Sequence, residues 1–583
     1  MNDLPSEFDV VVVGTGLAES IVSAAVSRNG HKVLHLDPRD YYGGKWTSLN
    51  WSSLESGTFA KEPVLESETQ DTSASNSDFG FINPIRSLEQ IWYCENAPSK
   101  IEEIRTLSRK FNVDVFPKVL LARDDIIELL ISSNVSRYLE FKCISKIYSS
   151  LPAPAEDTIE PIPLSRSDIF TTKSLGLVEK RKLTKFIESV LKADETGGND
   201  ESSGEIRAEP MVAKTFEELA RAASLTEKLQ HLIKSAVKTV GDNFDPSRLN
   251  AEFVNRCRLF LQSIGRYGNQ TPYLWTLYGV GEVCQAFCRL SAIYGGTYIL
   301  KRSLNNLKVE GDELEVTFGE TQLKTKYVVL GSEIKHTPTF QIGDTRTVVR
   351  AILLTIGGPI KSETQEGAES FMSVYKINDL EVVELDYTSL AVPKPYRLVQ
   401  VTGPSVNQVS PRAFVESSLA SFLDFSGTSP VEESKTVDGS DNKGDSNSEN
   451  EASNLESPTD ESANLRKESL SNGSIHMKPV VLYGTYFFID FYENNKNVQG
   501  LSPERDSKIF YCATASTEIT GEIRRAQEIF TSMYPEEEFL PKASDGSQAE
   551  DPEDETDVNR ETANATNPAD FNDNDGSAST PTI

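Results

Sequence analysis

The residues of this chain best suited to chemistry begin at Gly14. An apolar run, Phe8 to Val13, leads into Gly14-Thr15-Gly16-Leu17-Ala18-Glu19, then a helical pattern through Val26 and a second apolar run, Lys32 to Leu36, ending at Asp37. Strand, glycine turn, helix, strand and terminal acid is the order of a dinucleotide-binding unit. There the first glycine makes the turn, the second admits pyrophosphate against the backbone and the third lets helix pack on strand. Glu19 holds the third position here, so a carboxylate would stand where the helix N-terminus should meet phosphate. The spacing predicts the βαβ architecture and predicts against a bound FAD or NAD, so no cofactor is expected.

Other reactive side chains are sparse. Six cysteines, at positions 94, 143, 257, 284, 288 and 512, form no C-x-x-C pair and no disulfide framework, which reads as a reduced, intracellular chain. Cys284 and Cys288, four residues apart, read as small packing groups, and no metal is expected. The five histidines (31, 35, 231, 336, 476) have no matching nucleophile, and no G-x-S-x-G, P-loop or H-E-x-x-H occurs, so no catalytic residue is expected. His35 lies in the second strand and reads as a satisfied core residue.

The elements that must position these residues follow from length and pattern. A chain of 583 residues, 38% hydrophobic and 25% charged, suffices for two packed domains with surplus. Its 88 acidic against 58 basic residues, a net charge of −30, argue against nucleic acid and against an anionic membrane surface. Much of that charge is local: Asp194–Glu209, Val431–Leu470 and Ala543–Ile583 carry net −5, −7 and −10. The Ser/Asp/Glu/Asn-rich stretches 62–78, 194–209, 429–474 and the tail from 543 are expected to be disordered. Between them lie a βαβ-like block to about Leu151, a helical block from Pro163 to Arg266, a mixed block to Phe425 and a strand-and-helix block from Pro479 to Lys542. In the helical block, Leu225, Leu229, Leu232, Ile233, Ala236, Val237 and Val240 make one apolar stripe, and Phe253, Cys257, Phe260, Leu261 and Ile264 a second. Such stripes fit either plain core packing or a groove that parts for a lipid chain. The four valines Val10–Val13 are far short of a membrane span, and Thr-Pro-Thr-Ile at the end is no prenylation box.

Three further segments carry a family resemblance: Leu34 to Gly44 (LHLDPRDYYGG), Phe111 to Lys118 (FNVDVFPK) and Thr271 to Leu300 (TPYLWTLYGVGEVCQAFCRLSAIYGGTYIL). With Gly14-Thr15-Gly16-Leu17, they resemble the signature regions of the superfamily formed by Rab GDP-dissociation inhibitors and Rab escort proteins. Arg137 to Cys143 and Glu179-Lys180-Arg181-Lys182 extend the likeness over most of residues 7–340. The length, the Cys284/Cys288 pair, and the segments Val480–Phe491 and Ala526–Pro541 are more similar to the escort branch.

That resemblance implies an α/β fold: a dinucleotide-binding-like (FAD/NAD(P)-fold) domain I with an inserted all-helical domain II and disordered acidic loops. Domain I would span 1–162 and 267–542, interrupted at about 429–474, with domain II at 163–266 and an acidic tail at 543–583. It implies a Rab-binding platform at Tyr42, Glu282, Gln285, Arg289, Thr297 and Ile299. On a helix, Glu282, Gln285 and Arg289 share one face and offer an acceptor, an amide and a guanidinium fork, although a solvated face has the same spacing. Gly43, Gly44, Gly295 and Gly296 would make the turns presenting Tyr42 and Thr297, and Asn112 and Asp114 would serve local turns. It also implies a lipid groove between the two stripes, at Leu229, Ile233, Val237, Phe253, Cys257 and Phe260. The implied partners are GDP-bound Rab GTPases, the alpha/beta geranylgeranyltransferase heterodimer, docking on the helical domain, and the geranylgeranyl lipid carried on Rab. The chain would be a non-catalytic accessory subunit, cytosolic and at membranes only transiently through Rab. Two other readings remain: a GDP-dissociation inhibitor without a prenylation role, and an FAD-dependent oxidoreductase.

Overall fold

The four valines after Phe8 form a strand buried on both faces, as a continuous apolar run in a parallel sheet must be. In the computed structural model, Val10 and Val12 enter one core cluster while Val11 and Val13 enter another on the opposite side of the sheet. The described residues are 4–63, 78–151, 158–192, 216–237, 251–268, 271–310, 313–336, 341–361, 372–406, 408–427, 478–494 and 508–542. Of the expected disordered stretches, 64–77 of 62–78, all of 194–209 and 429–474, and the tail from 543 lie outside them, as does Val240 of the first stripe.

Strand Glu7–Val13 runs parallel to both Val33–Asp37 and Thr321–Leu330, with Val12 facing His35 and Val329. These are the middle strands of a seven-stranded sheet whose edge is Thr297–Leu300, parallel to Val33–Asp37. Helix Leu17–Arg28 packs against helices Gly281–Ile293 and Ile519–Met533. His35 is buried in the core but only half satisfied: its Nε2 lies 2.5 Å from the Gly14 carbonyl, its Nδ1 has no hydrogen-bond partner among the described residues, and burial holds its pKa down at about 4.

A second, eight-stranded sheet was not foreseen as such from the mixed block. Its order is Ile159–Pro161, Lys146–Ser150, Ser373–Ile377, Leu380–Leu385, Arg397–Pro404, Ile342–Ile356, Val480–Asn494 and Ile85–Trp92. All its pairings are antiparallel except Lys146–Ser150 with Ser373–Ile377. Its strands come from four distant stretches, so only long-range pairing assembles it.

The helical block holds helices Arg166–Thr171, Leu177–Lys192, Phe216–Ala222, Glu227–Val237 and Ala251–Ser263. Ser165 and Asp168 start it with a capping box, each satisfying the other's backbone amide. The first stripe is not one helix: Leu225 precedes Glu227–Val237, after Ser224 at φ 50°. Phe186, Phe216 and Phe253 stack edge-on at the centre of the block, with centroids 5.9 and 5.1 Å apart. Their cluster is continuous with one face of the first sheet, and all described residues fall in the unit Met1–Lys542. Among the described residues, no helix is long and apolar enough to cross a membrane.

Candidate functional site

At the glycine turn the charged side chains are paired within the chain. Asp37, the acid that would bind a ribose, accepts from the Thr15 amide at 2.7 Å, the Thr15 hydroxyl at 2.6 Å and the Arg39 amide at 2.7 Å. Arg39 forks onto Glu333 Oε2 at 2.9 and 3.1 Å. Glu19 is buried beneath Gly16 and accepts the Ser332 amide at 2.9 Å, while Lys45 pairs with Glu522 at 3.0 Å, both ends buried. Four carboxylates against two cations surround the phosphate position. This donor set does not fit a pyrophosphate, which needs free amides and cations at a helix N-terminus.

Burial and the neighbouring Glu522 push the Glu19 pKa up to about 7, and burial pushes Asp37 up to about 6. An acid raised above its unfolded value of about 4.5 leaves the native state binding more protons between that value and 7, so stability falls as pH rises through this window and is level above it. Glu19→Gln keeps the acceptor for Ser332 and removes the charge. The variant is expected to gain on wild type by about 3 kcal/mol between pH 4.5 and 8. Urea midpoints at pH 5 and pH 8 measure the gain; the same offset at both would refute it.

The helix Gly281–Ile293 carries Glu282, Gln285 and Arg289 of the expected platform. Its inner face packs on Leu17–Arg28, with Ser20 Oγ 3.2 Å from Cys288 Sγ and Ser23 Oγ 2.9 Å from Ser291 Oγ. Cys284 and Cys288 are both buried there, and burial raises both thiol pKa values, Cys288 to about 12. Among the described residues no cluster of His, Cys, Asp and Glu could hold a metal. On the outer face Gln285 and Arg289 are exposed and Glu282 is half-buried, with burial raising its carboxyl pKa. Gln285 Nε2 donates to Glu282 Oε1 at 3.1 Å, and the Arg289 guanidinium lies 5.0 Å from the Tyr138 ring centre. Thr297 and Ile299 sit on the adjoining edge strand opposite Leu34 and Leu36. Between them Tyr298 points the other way, onto His35 at 4.7 Å and the Ser23 hydroxyl at 3.1 Å. Tyr42, half-buried, lies 6.2 Å from the Tyr298 ring.

Gly43, Gly44 and Gly295 have positive φ, as the turns require, whereas Gly296 does not. A Cβ on Gly296 would fall 2.3 Å from Ser291 Oγ, so close packing, not backbone freedom, excludes a side chain there. Sequence reasoning missed Tyr138 as the support of Arg289. It lies in the resembling segment Arg137–Cys143, but no spacing links it to a residue so distant in sequence.

The helical block contains an apolar cleft of about 450 Å³, open mouth included. Ile233, Val237, Cys257 and Phe260 of the expected groove line it; Leu229 and Phe253 lie instead in the core, outside its walls. A third wall, Leu183, Phe186 and Ile187 of helix Leu177–Lys192, was missed. Its signal was present as the apolar spacing Leu183, Phe186, Ile187, Val190. Behind the lining residues Ala236 and Phe260, Tyr273 donates to the Ala236 carbonyl at 3.1 Å and packs edge-on against the Phe260 ring.

On the outside of the same block, Phe170, Leu177 and Val178 are 71%, 80% and 65% exposed at the turn joining two helices. Exposed Lys173, Arg181 and Lys185 flank them. Glu179 is tied down by the Gly176 amide at 3.1 Å and the Thr226 hydroxyl at 3.2 Å, so the tip is apolar and basic.

The sequence profile described as GDP dissociation inhibitor matches residues 4–80 and 75–378. The chain belongs to this family. Among relatives of this family member, "Rab proteins geranylgeranyltransferase component A" of Drosophila melanogaster is 32% identical over 424 residues, covering 70% of this chain and 76% of the relative. The human component A 2 is 25% identical over 672 residues, covering 93% and 92%. A crystal structure of Rab GDI from Plasmodium falciparum superposes with a TM-score of 0.58 at 18% identity over 93% of this chain and all of that one. The GDP dissociation inhibitor fold therefore extends across both sheets and the helical block.

Proposed function

We propose that the chain is a Rab escort protein, a non-catalytic subunit that binds GDP-bound Rab GTPases, presents them to the geranylgeranyltransferase heterodimer and holds the prenylated product until delivery. The observation that carries this reading is similarity to proteins named geranylgeranyltransferase component A over as much as 93% of the chain. Tyr42, Glu282, Gln285, Arg289, Thr297 and Ile299 form the GTPase platform in this reading, with Glu282, Gln285 and Arg289 already ordered by internal contacts. The apolar cleft takes the lipid, and the transferase docks on the helical block at the tip of Phe170, Leu177 and Val178. Exposed apolar side chains ringed by cations are a poor surface for solvent and a good one for an acidic, partly apolar partner. The protein works in the cytosol, reaches membranes through its lipidated cargo and binds no nucleic acid.

The test is a reconstitution with unprenylated Rab, the alpha/beta transferase and labelled geranylgeranyl diphosphate. Label is expected on Rab only when the chain is present. Phe170→Asp is expected to lower labelling at limiting concentrations by roughly tenfold or more while Rab binding is kept. Labelling that proceeds without the chain sinks the escort reading. The second reading, an inhibitor without a prenylation role, is favoured by the family description itself. It requires membrane extraction of prenylated Rab with no support of labelling.

A further inference from the structure

Asn112 and Asp114 were expected to serve local turns. Asn112 serves no local turn: its side-chain amide donates to the distant Leu390 carbonyl at 2.8 Å, and its backbone amide to the Ala391 carbonyl. Asp114 does something else. It is fully buried and pairs with Ser48 across the two-residue strands Ser48–Leu49 and Val113–Asp114. From there its Oδ1 accepts the Val280 amide at 3.0 Å and the Ser48 hydroxyl at 2.5 Å, and Ser48 Oγ in turn accepts the Gly281 amide at 3.0 Å.

Val280 and Gly281 open the helix Gly281–Ile293, whose N-cap position is Val280, in αR conformation and with no side-chain cap of its own. A helix start leaves its first amides without intrahelical acceptors, and a neighbouring Ser, Thr, Asp or Asn normally supplies one. Here the acceptors come from two other segments. A carboxylate at this end also complements the positive pole of the helix.

The backbone is shaped for this approach. Gly279, at φ 104°, has no room for a side chain, since a Cβ there would fall 2.3 Å from Asp114 Oδ1. A Cβ on Gly281 would fall 2.7 Å from the Ser48 amide nitrogen. Behind Asp114 stands the buried Arg350, fixed by donating to the Val115 carbonyl at 3.0 Å, Thr402 Oγ1 at 2.9 Å and Gln400 Oε1 at 2.6 Å. Asp114 Oδ2 has no hydrogen-bond partner among the described residues, so this carboxylate is held through Oδ1 alone.

We propose that Asp114, acting through Ser48, is a positioning residue for GTPase binding: a remote cap that sets the first turn of the helix bearing Glu282 and Gln285, without touching the partner. This rests on the platform reading above. Glu282 is the second residue of that helix and Gln285, hydrogen-bonded to it, lies one turn on. Freeing the Val280 and Gly281 amides lets the first turn fray, and the acceptor–amide pair loses its fixed place.

The full chain is titrated with a GDP-bound, unprenylated Rab, and backbone amide exchange is followed at 280–283. Asp114→Ala is expected to raise exchange at those amides and weaken Rab binding about fivefold; Ser48→Ala does the same to a smaller extent, and Asp114→Asn, which keeps an acceptor oxygen, recovers most of the loss. A purely global loss of stability would act alike on every platform residue. The cap instead requires non-additivity between Asp114→Ala and Glu282→Ala, with additivity between Asp114→Ala and Thr297→Ala on the edge strand. If Asp114→Ala does not fold, the Ser48→Ala cycle takes its place. Unchanged exchange at 280–283, or additivity in both cycles, overturns the proposal. A wild-type chain that binds no Rab overturns the functional reading instead, and amide exchange still decides whether Asp114 caps the helix.

Discussion

Replacing Arg289 by alanine is expected to weaken binding of a GDP-bound Rab by about 2 kcal/mol, roughly a thirtyfold rise in Kd. The expectation comes from how the side chain is held. Arg289 is exposed, yet its guanidinium rests over the Tyr138 ring, and one turn earlier the Gln285 amide is bonded to Glu282. A long side chain already restrained in the free protein loses less freedom on binding. Lysine would not substitute, because it lacks the planar fork and stacks less well. Since Arg289 lies outside the core, the melting temperature should hardly move. Isothermal titration of wild type and variant decides the matter, and an unchanged Kd removes Arg289 from the platform.

The second large effect concerns the lipid. Val237→Trp is expected to lower affinity for geranylgeranylated Rab by at least about tenfold while leaving unprenylated Rab unaffected. Val237, Ile233, Cys257 and Phe260 line the cleft yet are each under a tenth exposed, so its walls close on one another and must part further for a twenty-carbon chain. Burying such a chain gains ~0.8 kcal/mol per CH₂-sized unit, enough to drive a modest opening. An indole at Val237 occupies the space that opening would create. Equal retention of prenylated Rab by variant and wild type would move the lipid elsewhere.

Much of the first sheet's architecture was legible because its signals are local. Buried strands, a glycine turn and a following helix lie within the first 37 residues, and Glu19 announced its conflict with phosphate by position alone. The shared outer face of Glu282, Gln285 and Arg289 was readable as a helical spacing, and its role as a platform rests on the family resemblance. The apolar cleft was half legible. Periodicity named the right two helices, but Leu229 and Phe253 turned inward to the core while Leu183, Phe186 and Ile187 supplied the third wall. A stripe tells which side of a helix is apolar, not which neighbour covers each residue.

By itself the sequence determined the opening βαβ unit, the clash of Glu19 with a dinucleotide, the apolar stripes of the helical block and the side of the helix on which Arg289 lies. Each follows from side-chain periods of two or 3.6 residues and from chemistry within one turn. Only the tertiary structure decided that Arg39 meets Glu333, that Lys45 meets Glu522, that Arg289 rests on Tyr138, and that Asp114 caps a helix 166 residues further on. These partners are chosen by how the sheets and helices pack around a shared core, where a buried charge or amide must find a counterpart wherever the fold brings one.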